Sequence, residues 1–386
     1  MGPGAVFAAF LALGCRAFGG PVAHLALFRE ALVARRGWIG ERDYADTVAL
    51  CQFLPGPTSS QVGMLIGWRL AGWRGLLAAW FGFTLPGAML MIAAGCWAGS
   101  LDAAAAAPAL HGVKIAVFAV VAMACTAMWR QLCTDRWRSA LALATAAAVL
   151  AAPAAWWQIP ALAAAGAAGW LLPARPLAED GDAPARSPGR TAAWLCLALC
   201  LAGLALLPLA AGAWAATTGA MFSSGALVFG GGHVVLPLLS GAVVESGRMD
   251  AGTFLAGYGL VQAMPGPLFN IAGYLGAALH GPGAAGVLGG ALAVVAIFLP
   301  GALLAVAALP AWSALRRHAG ARRIADGLCA GVVGLLAAAL WDPVASSAIL
   351  GMRDAAWACA ALAALVAGLP SWALVALCAA LGAFSG

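Results

Sequence analysis

Thr58, Ser59, Ser60 and Gln61 set three hydroxyls and a carboxamide on four consecutive positions directly after Pro55-Gly56-Pro57, inside an otherwise apolar stretch. Pro55 and Pro57 lack amide protons and their rings clash with the preceding helical turn, so a helix must stop near Leu54 and can restart after Pro57. The restart leaves the amides of Thr58, Ser59 and Ser60 without intrahelical acceptors, at the positive end of the helix dipole. Free amides, hydroxyls and a carboxamide at one helix start are donors suited to an anion. At a distance of 210 positions, Gln262-Ala263-Met264-Pro265-Gly266-Pro267 repeats Gln52-Phe53-Leu54-Pro55-Gly56-Pro57, and Asn270 follows three residues after Pro267. The expected binding site therefore takes Gln52, Pro55, Gly56, Pro57, Thr58, Ser59, Ser60 and Gln61 from the first copy, and Gln262, Pro265, Gly266, Pro267 and Asn270 from the second. A kink that merely shapes packing is the plainer reading of one Pro-Gly-Pro; two at matched positions, both beside polar side chains, weigh against it.

Other polar residues in apolar surroundings carry two readings each. Lys114, the chain's single lysine, stands at the start of an apolar helix. It is either a charge snorkelling to an interface or a cation facing the site, and it is included among the expected binding residues. Its counterpart region in the second copy holds Asp326, so the two copies differ electrostatically. His24 and His233 each follow a glycine-rich turn, and His24 with Glu30 is the expected route for a coupled proton, against the commoner reading of structural histidines. Glu30, Asp43 and Asp46 are otherwise partners for Arg29, Arg35, Arg36 and Arg42. The ten cysteines form no CxxC pair, and Cys196 and Cys200, which share a helix face, read as apolar packing residues. No metal-ligand cluster, no phosphate-binding G-x-x-x-x-G-K-[ST] loop and no catalytic triad or HExxH spacing occurs, so neither cofactor nor enzymatic chemistry is expected, and a gradient is the expected energy source.

These residues must be positioned within a membrane. The 386 residues are 64% hydrophobic and 9% charged, where soluble domains carry about 25% charge. Apolar segments recur near 4–28, 44–66, 76–100, 110–129, 139–152, 155–172, 191–211, 213–240, 251–279, 284–310, 324–341, 348–367 and 369–385, many of them close to the ~20 residues a spanning helix needs. Their Ala/Leu/Gly pattern lacks the alternation of a barrel, and 50 glycines suit close helix packing. The fold class expected is an all-α polytopic membrane protein. The first apolar run has no basic region before it and no cleavage site, so a retained helix is expected there. The one long polar stretch, 173–190, divides an N-terminal repeat, 1–172, from a C-terminal repeat, 191–386.

The duplication extends beyond Pro-Gly-Pro: Phe18-Gly19-Gly20 answers Phe229-Gly230-Gly231, and Leu85-Pro86-Gly87-Ala88 answers Leu299-Pro300-Gly301-Ala302. In the first copy Arg29, Arg35, Arg36 and Arg42 precede the break, Arg69 and Arg74 follow it, loop 101–110 carries only Asp102, and Arg130, Arg136 and Arg138 come next. In the second, 241–250 sets one arginine against Glu245 and Asp250, 280–283 has no charge, the loop matching 101–110 carries Arg316, Arg317, Arg322 and Arg323, and Asp342 follows. Basic loops stay cytoplasmic, so matching loops fall on opposite sides: the pattern of inverted repeats in transporters. Basic flanks on both sides of the first break predict a re-entrant hairpin, with arms of about 11 residues reaching only ~16 Å; a spanning broken helix is the alternative. Inversion requires an odd number of crossings between Arg138 and Val243, where four apolar segments lie; one of them, 139–152 or another, is expected not to span.

The motifs FGGPVAH at 18–24, RRGWI at 35–39, QFLPGPTSSQ at 52–61, Gly-Trp-Arg-Gly at 72–75, LPGA at 85–88, FGGG at 229–232, QAMPGPLFN at 262–270 and FLPGA at 298–302 together resemble the chromate ion transporter (CHR) family in its long, two-domain form. RRGWI has only the weak echo SGRMD at 246–250. The resemblance implies a secondary transporter that exports chromate across the bacterial inner (plasma) membrane and confers chromate resistance. Sulfate, also a tetrahedral dianion, is the alternative cargo, an uncoupled anion channel the alternative mechanism, and a polytopic membrane enzyme the remaining one. Partners expected are the oxyanion and the lipid bilayer, with a homo-oligomer allowed and nucleic acid not.

Overall fold

Prolines and glycines decide where these helices end. The structure, a computed structural model, describes residues 1–98, 103–151, 157–171, 188–229, 232–312, 314 and 318–385. The linker expected at 173–190 falls almost wholly outside the described residues, as do Asp102, Gly230, Gly231, Arg316 and Arg317. Among the described residues there is no strand, and five helices are long and apolar enough to cross a membrane.

In the first copy the helices are α1 (Pro3–Gly14), α2 (Gly20–Phe28, continued by a π-helical Arg29–Arg35), α3 (Glu41–Phe53), α4 (Thr58–Trp97), α5 (Ala103–Leu132), α6 (Arg136–Ala151) and α7 (Gln158–Gly169). A connecting α8 (Arg190–Leu206) precedes the second copy. That copy comprises α9 (Ala213–Leu227), α10 (Val235–Ser240, continued by Gly241–Glu245), α11 (Ala251–Ala263), α12 (Ile271–His280), α13 (Ala284–Ala308), α14 (Ala319–Ala339), α15 (Met352–Val366) and α16 (Ser371–Ser385). The order α1 to α7 thus recurs as α9 to α16, with α12 and α13 together matching α4.

That match is physical, because α4 is two helices. Ala71 (φ −145, ψ 23) and Gly72 (φ 61, ψ −146) leave helical geometry, and the chain reverses there, bringing Gly67 against the Gly75 carbonyl and within 2.8 Å of Ala79 Cβ from the position of an added Cβ. The same small-residue contact recurs where α12 turns into α13, with Gly276 against Gly289 and Ala293. Residues 58–70 are therefore a short arm that pairs with α3. Arg69 and Asp43 close the open end of this hairpin at 2.8 Å, and Pro55-Gly56-Pro57 forms its tip. In the second copy Tyr274 Oη donates to the Thr253 carbonyl at 3.2 Å, closing the α11–α12 hairpin in the same way. Thirteen helical residues extend ~20 Å, short of the ~30 Å apolar core of a bilayer.

The long helix 73–97 starts at the open end of the first hairpin and ends at that of the second, where Gly95 meets Tyr274 and Ala98 lies with Ala278 and Leu279. The two hairpins therefore open at opposite ends of this helix and meet tip to tip. α1–α2 and α9–α10 are hairpins as well: Phe10 meets Phe28 edge-on at 5.5 Å, and Arg248 Nη2 donates to Thr217 Oγ1 at 2.5 Å. The copies also exchange helices: α14 packs on α6 and α7, and α5 packs on α15 and α16.

Candidate anion site

Each Pro-Gly-Pro tip has a single backbone donor, the glycine amide, and both are used across the copies. Gly56 N donates to the Val228 carbonyl at 2.7 Å and Gly266 N to the Ala17 carbonyl at 2.8 Å. Val228 and Ala17 directly precede the two Phe-Gly-Gly turns, so each tip is held by the other copy's turn. The tips share a backbone path, with Leu54 and Met264 extended and Gly56 (φ +125) and Gly266 (φ +104) in the left-handed region that glycine alone enters without steric cost.

The carboxamides after the tips reach into the other copy too. Gln61 Nε2 donates to the Pro55 and Gly301 carbonyls, both at 2.9 Å, and Asn270 Nδ2 donates to the Thr84 carbonyl at 3.2 Å. Gly301 and Gly87 belong to the two Leu-Pro-Gly-Ala motifs, and their missing side chains admit the tips: a Cβ on Gly87 would run into the Pro265 carbonyl, and one on Gly301 would lie 2.7 Å from Pro57 Cδ.

At the centre is a cavity of ≈ 10 Å³ lined by Pro21, His24, Pro57, Thr58, Ser59 and Pro267 among others. These residues belong to the first turns of α2 and α4 and to the approach to α12, so helix starts from both copies converge on one point. Pro57 supplies no side-chain cap to α4, leaving the first amides of that helix free. Ser59 Oγ lies 3.3 Å from His24 Nδ1, and His24 Nε2 lies 3.2 Å from the Ala17 carbonyl, which fixes the imidazole between the site and a tip. Ser60 Oγ, Gln61 Oε1, Thr84 Oγ1 and Asn270 Oδ1 are buried without a hydrogen-bond partner. Orphaned buried polar atoms are costly, on the order of 1–3 kcal/mol each; the two hydroxyls can donate to an anion, whereas the two carboxamide oxygens only accept. The cavity has room for about one water, so a tetrahedral oxyanion requires the tips to part.

Of the sequence-predicted residues, Pro57, Thr58, Ser59 and Pro267 line this cavity, while Pro55, Gly56, Ser60, Gln61, Pro265, Gly266 and Asn270 belong to the two tips and the turns that follow them without lining it. Gln262 is buried beside it, its amide 3.5 Å from His233 Nδ1, which also meets Tyr258 Oη at 2.9 Å. Three residues are not brought there. Gln52 is exposed on α3; Glu30 pairs with Arg35 at 2.8 Å at the open end of the α1–α2 hairpin; and Lys114 Nζ reaches the start of α11, 3.5 Å from where a Gly252 Cβ would stand. That start is ~18 Å from the tip along α11. Sequence reasoning missed Thr84, Gly87, Gly301 and the carbonyls of Ala17 and Val228; the duplicated motifs around them were the available signal.

Comparison with known proteins gives a consistent picture. The family described as "Chromate transporter" matches residues 4–170 and 215–383, leaving α8 between the two matches. A "Chromate transport protein" of Pseudomonas aeruginosa is 29% identical over 357 residues, 87% of this chain and 80% of that protein. A "Probable chromate transport protein" of Synechococcus elongatus is 27% identical over 378 residues, 95% and 88% of the two chains. A "Chromate transport protein" of Cupriavidus metallidurans is 27% identical over 352 residues, 86% and 80%. No solved structure matches the chain.

Proposed function

The chain belongs to the chromate transporter family, a transporter rather than an enzyme family, and on that premise we propose that it exports chromate across the bacterial inner membrane by secondary active transport. The observation that supports this reading is the convergence of helix starts from both copies on one small cavity that Thr58, Ser59 and His24 line together with Pro21, Pro57 and Pro267. A tetrahedral dianion leaving water needs several donors at once. Each helix start favours a negative charge by about 0.3–2 kcal/mol, and each hydrogen bond to a charged group adds about 1.5–3 kcal/mol. Lys114 lies too far from the tips to serve the same ion, so the central site is neutral.

In this reading the copies, 1–172 and 191–386 joined by 173–190, lie inverted across the bilayer. The open end of the first hairpin, with Arg29, Arg35, Arg36, Arg42, Arg69 and Arg74 around it, faces the cytoplasm. Parting the tips toward one face and then the other alternates access to a fixed site, as broken-helix transporters do. The two reciprocal tip bonds, Gly56 to Val228 and Gly266 to Ala17, are the contacts such a movement breaks in turn.

Purified protein in liposomes tests this by accumulation of labelled chromate against its gradient. Ser59→Ala with Ser60→Ala lowers flux about 100-fold, given ~1.5–3 kcal/mol per lost hydrogen bond to a charged group, while the protein reaches the membrane at normal abundance. Pro55→Leu also abolishes flux. Undiminished flux removes the site assignment, and flux that never exceeds equilibrium identifies a channel. Excess sulfate that competes for chromate flux makes sulfate a second cargo. Coupling runs through His24, which touches both Ser59 and a tip turn, with Glu30 further out. His24→Gln then moves chromate under a voltage but no longer under a pH gradient alone; pH-driven flux equal to wild type rejects the coupling role.

A further inference from the structure

We propose that the open end of the second hairpin is a separate oxyanion docking site, a vestibule leading to the central cavity, with Arg248 as its chief ligand and Lys114 in support. This rests on the anion-transport reading and adds a second station to it. A cavity of ≈ 560 Å³ lies there between Gly247, Arg248, Asp250, Thr253, Ala278 and Leu279, against ≈ 10 Å³ at the tips. The vestibule has the volume for a hydrated oxyanion that the centre lacks.

Its charges are arranged to hold an oxyanion on the exit face of the proposed export. Arg248 forms no ion pair among the described residues; one of its five N–H donors is held by Thr217 Oγ1 at 2.5 Å, and the rest stay available. The same Thr217 oxygen lies 3.2 Å from His280 Nε2, and the His280 ring stacks on Trp214 at 3.9 Å, so the guanidinium is anchored on a rigid wall. The carboxylate on the opposite wall, Asp250, is turned onto the start of α11, accepting from Thr253 N at 2.8 Å. Lys114 Nζ stands beside Gly252 on the same turn and has no hydrogen bond or ion pair among the described residues. At the first hairpin's open end three of the arginines are paired instead: Arg29 with Glu41 at 2.5 Å, Arg35 with Glu30 at 2.8 Å and Arg69 with Asp43 at 2.8 Å. Ser246-Gly247-Arg248-Met249 aligns with Arg36-Gly37-Trp38-Ile39, so the first copy carries Trp38 where the second carries Arg248. The vestibule is thus a one-sided feature of a duplicated fold, placed on the face opposite the basic loops.

Chromate uptake into inside-out and right-side-out vesicles, measured as KM and kcat on each face, tests the proposal. Arg248→Gln raises KM about tenfold on the face of the second hairpin, the ratio that ~1.4 kcal/mol corresponds to, leaving kcat and the other face's KM within about twofold. Arg248→Lys recovers part of the loss, Lys114→Gln gives a smaller rise, and the double neutral variant flattens the ionic-strength dependence of KM on that face. An unchanged KM, or an equal rise on both faces, overturns the vestibule while leaving the central site standing. Wild-type protein that carries no chromate overturns the transport reading and the vestibule with it.

Discussion

A single methyl group at Gly87 abolishes transport, whereas the same methyl at Gly40 leaves it unchanged. The Gly87 Cα faces the Pro265 carbonyl directly, and an added Cβ would also stand 2.5 Å from Asn270 Nδ2. Neither neighbour has freedom to retreat. Pro265 belongs to a tip pinned by the Gly266 amide on the Ala17 carbonyl, and the Asn270 amide is held by the Thr84 carbonyl. Overpacking of this kind costs stability by about 1–3 kcal/mol, which a large membrane protein tolerates. Its effect on function is greater, because the methyl pushes one tip off the other copy and displaces the helix start that aims at the cavity; a misplacement of ~1 Å at a reacting site costs on the order of 100-fold. Gly40, by contrast, has an ordinary extended backbone (φ −70) and nothing within 4 Å of its Cβ direction. Chromate flux in liposomes, with membrane abundance and Tm for both variants, is the measurement. Gly87→Ala with wild-type flux would falsify the tip-to-helix packing described above.

Much of this site could be read before any fold was seen, for reasons that lie in single residues. Proline's missing amide dictated both breaks, and the polar run Thr58 to Gln61 stood out because its surroundings are apolar. The interruption inside α4 was legible as the gap between the apolar segments 44–66 and 76–100, which holds Arg69 and Arg74, and Ala71 and Gly72 leave helical geometry there. The exchange between copies was hidden. Phe-Gly-Gly and Leu-Pro-Gly-Ala were visible as repeats, yet nothing along the chain says that a tip is received by the other copy's motifs rather than its own. Gln52 and Gln262 show the limit of reasoning by repeat: the second meets His233 beside Tyr258, whereas the first faces outward.

Removing the Asp326 carboxylate lowers the stability of the whole chain by about 3 kcal/mol, although Asp326 lies on α14 far along the chain from the partner it serves. Arg138 on α6 has a side chain only 3% exposed; its Nη2 donates to Asp326 Oδ2 at 2.6 Å and its Nη1 to Asp135 Oδ2. Asp326 is itself 13% exposed, so Asp326→Ala strands most of a guanidinium charge away from water. Asp135, 32% exposed, offsets part of that, which places the expected loss at the low end of the ~3–5 kcal/mol for broken buried pairs. The Tm of the detergent-solubilised protein falls by about 5 °C or more. Arg138→Met with Asp326→Leu removes the charge and its partner together and recovers to within roughly 1 kcal/mol of wild type, a coupling that a double-mutant cycle measures. An Asp326→Ala variant as stable as wild type rejects the desolvated pair. This bond ties α6 of one copy to α14 of the other, away from the Pro-Gly-Pro tips. Weakening the bond therefore lowers Tm and leaves the KM for chromate where it was.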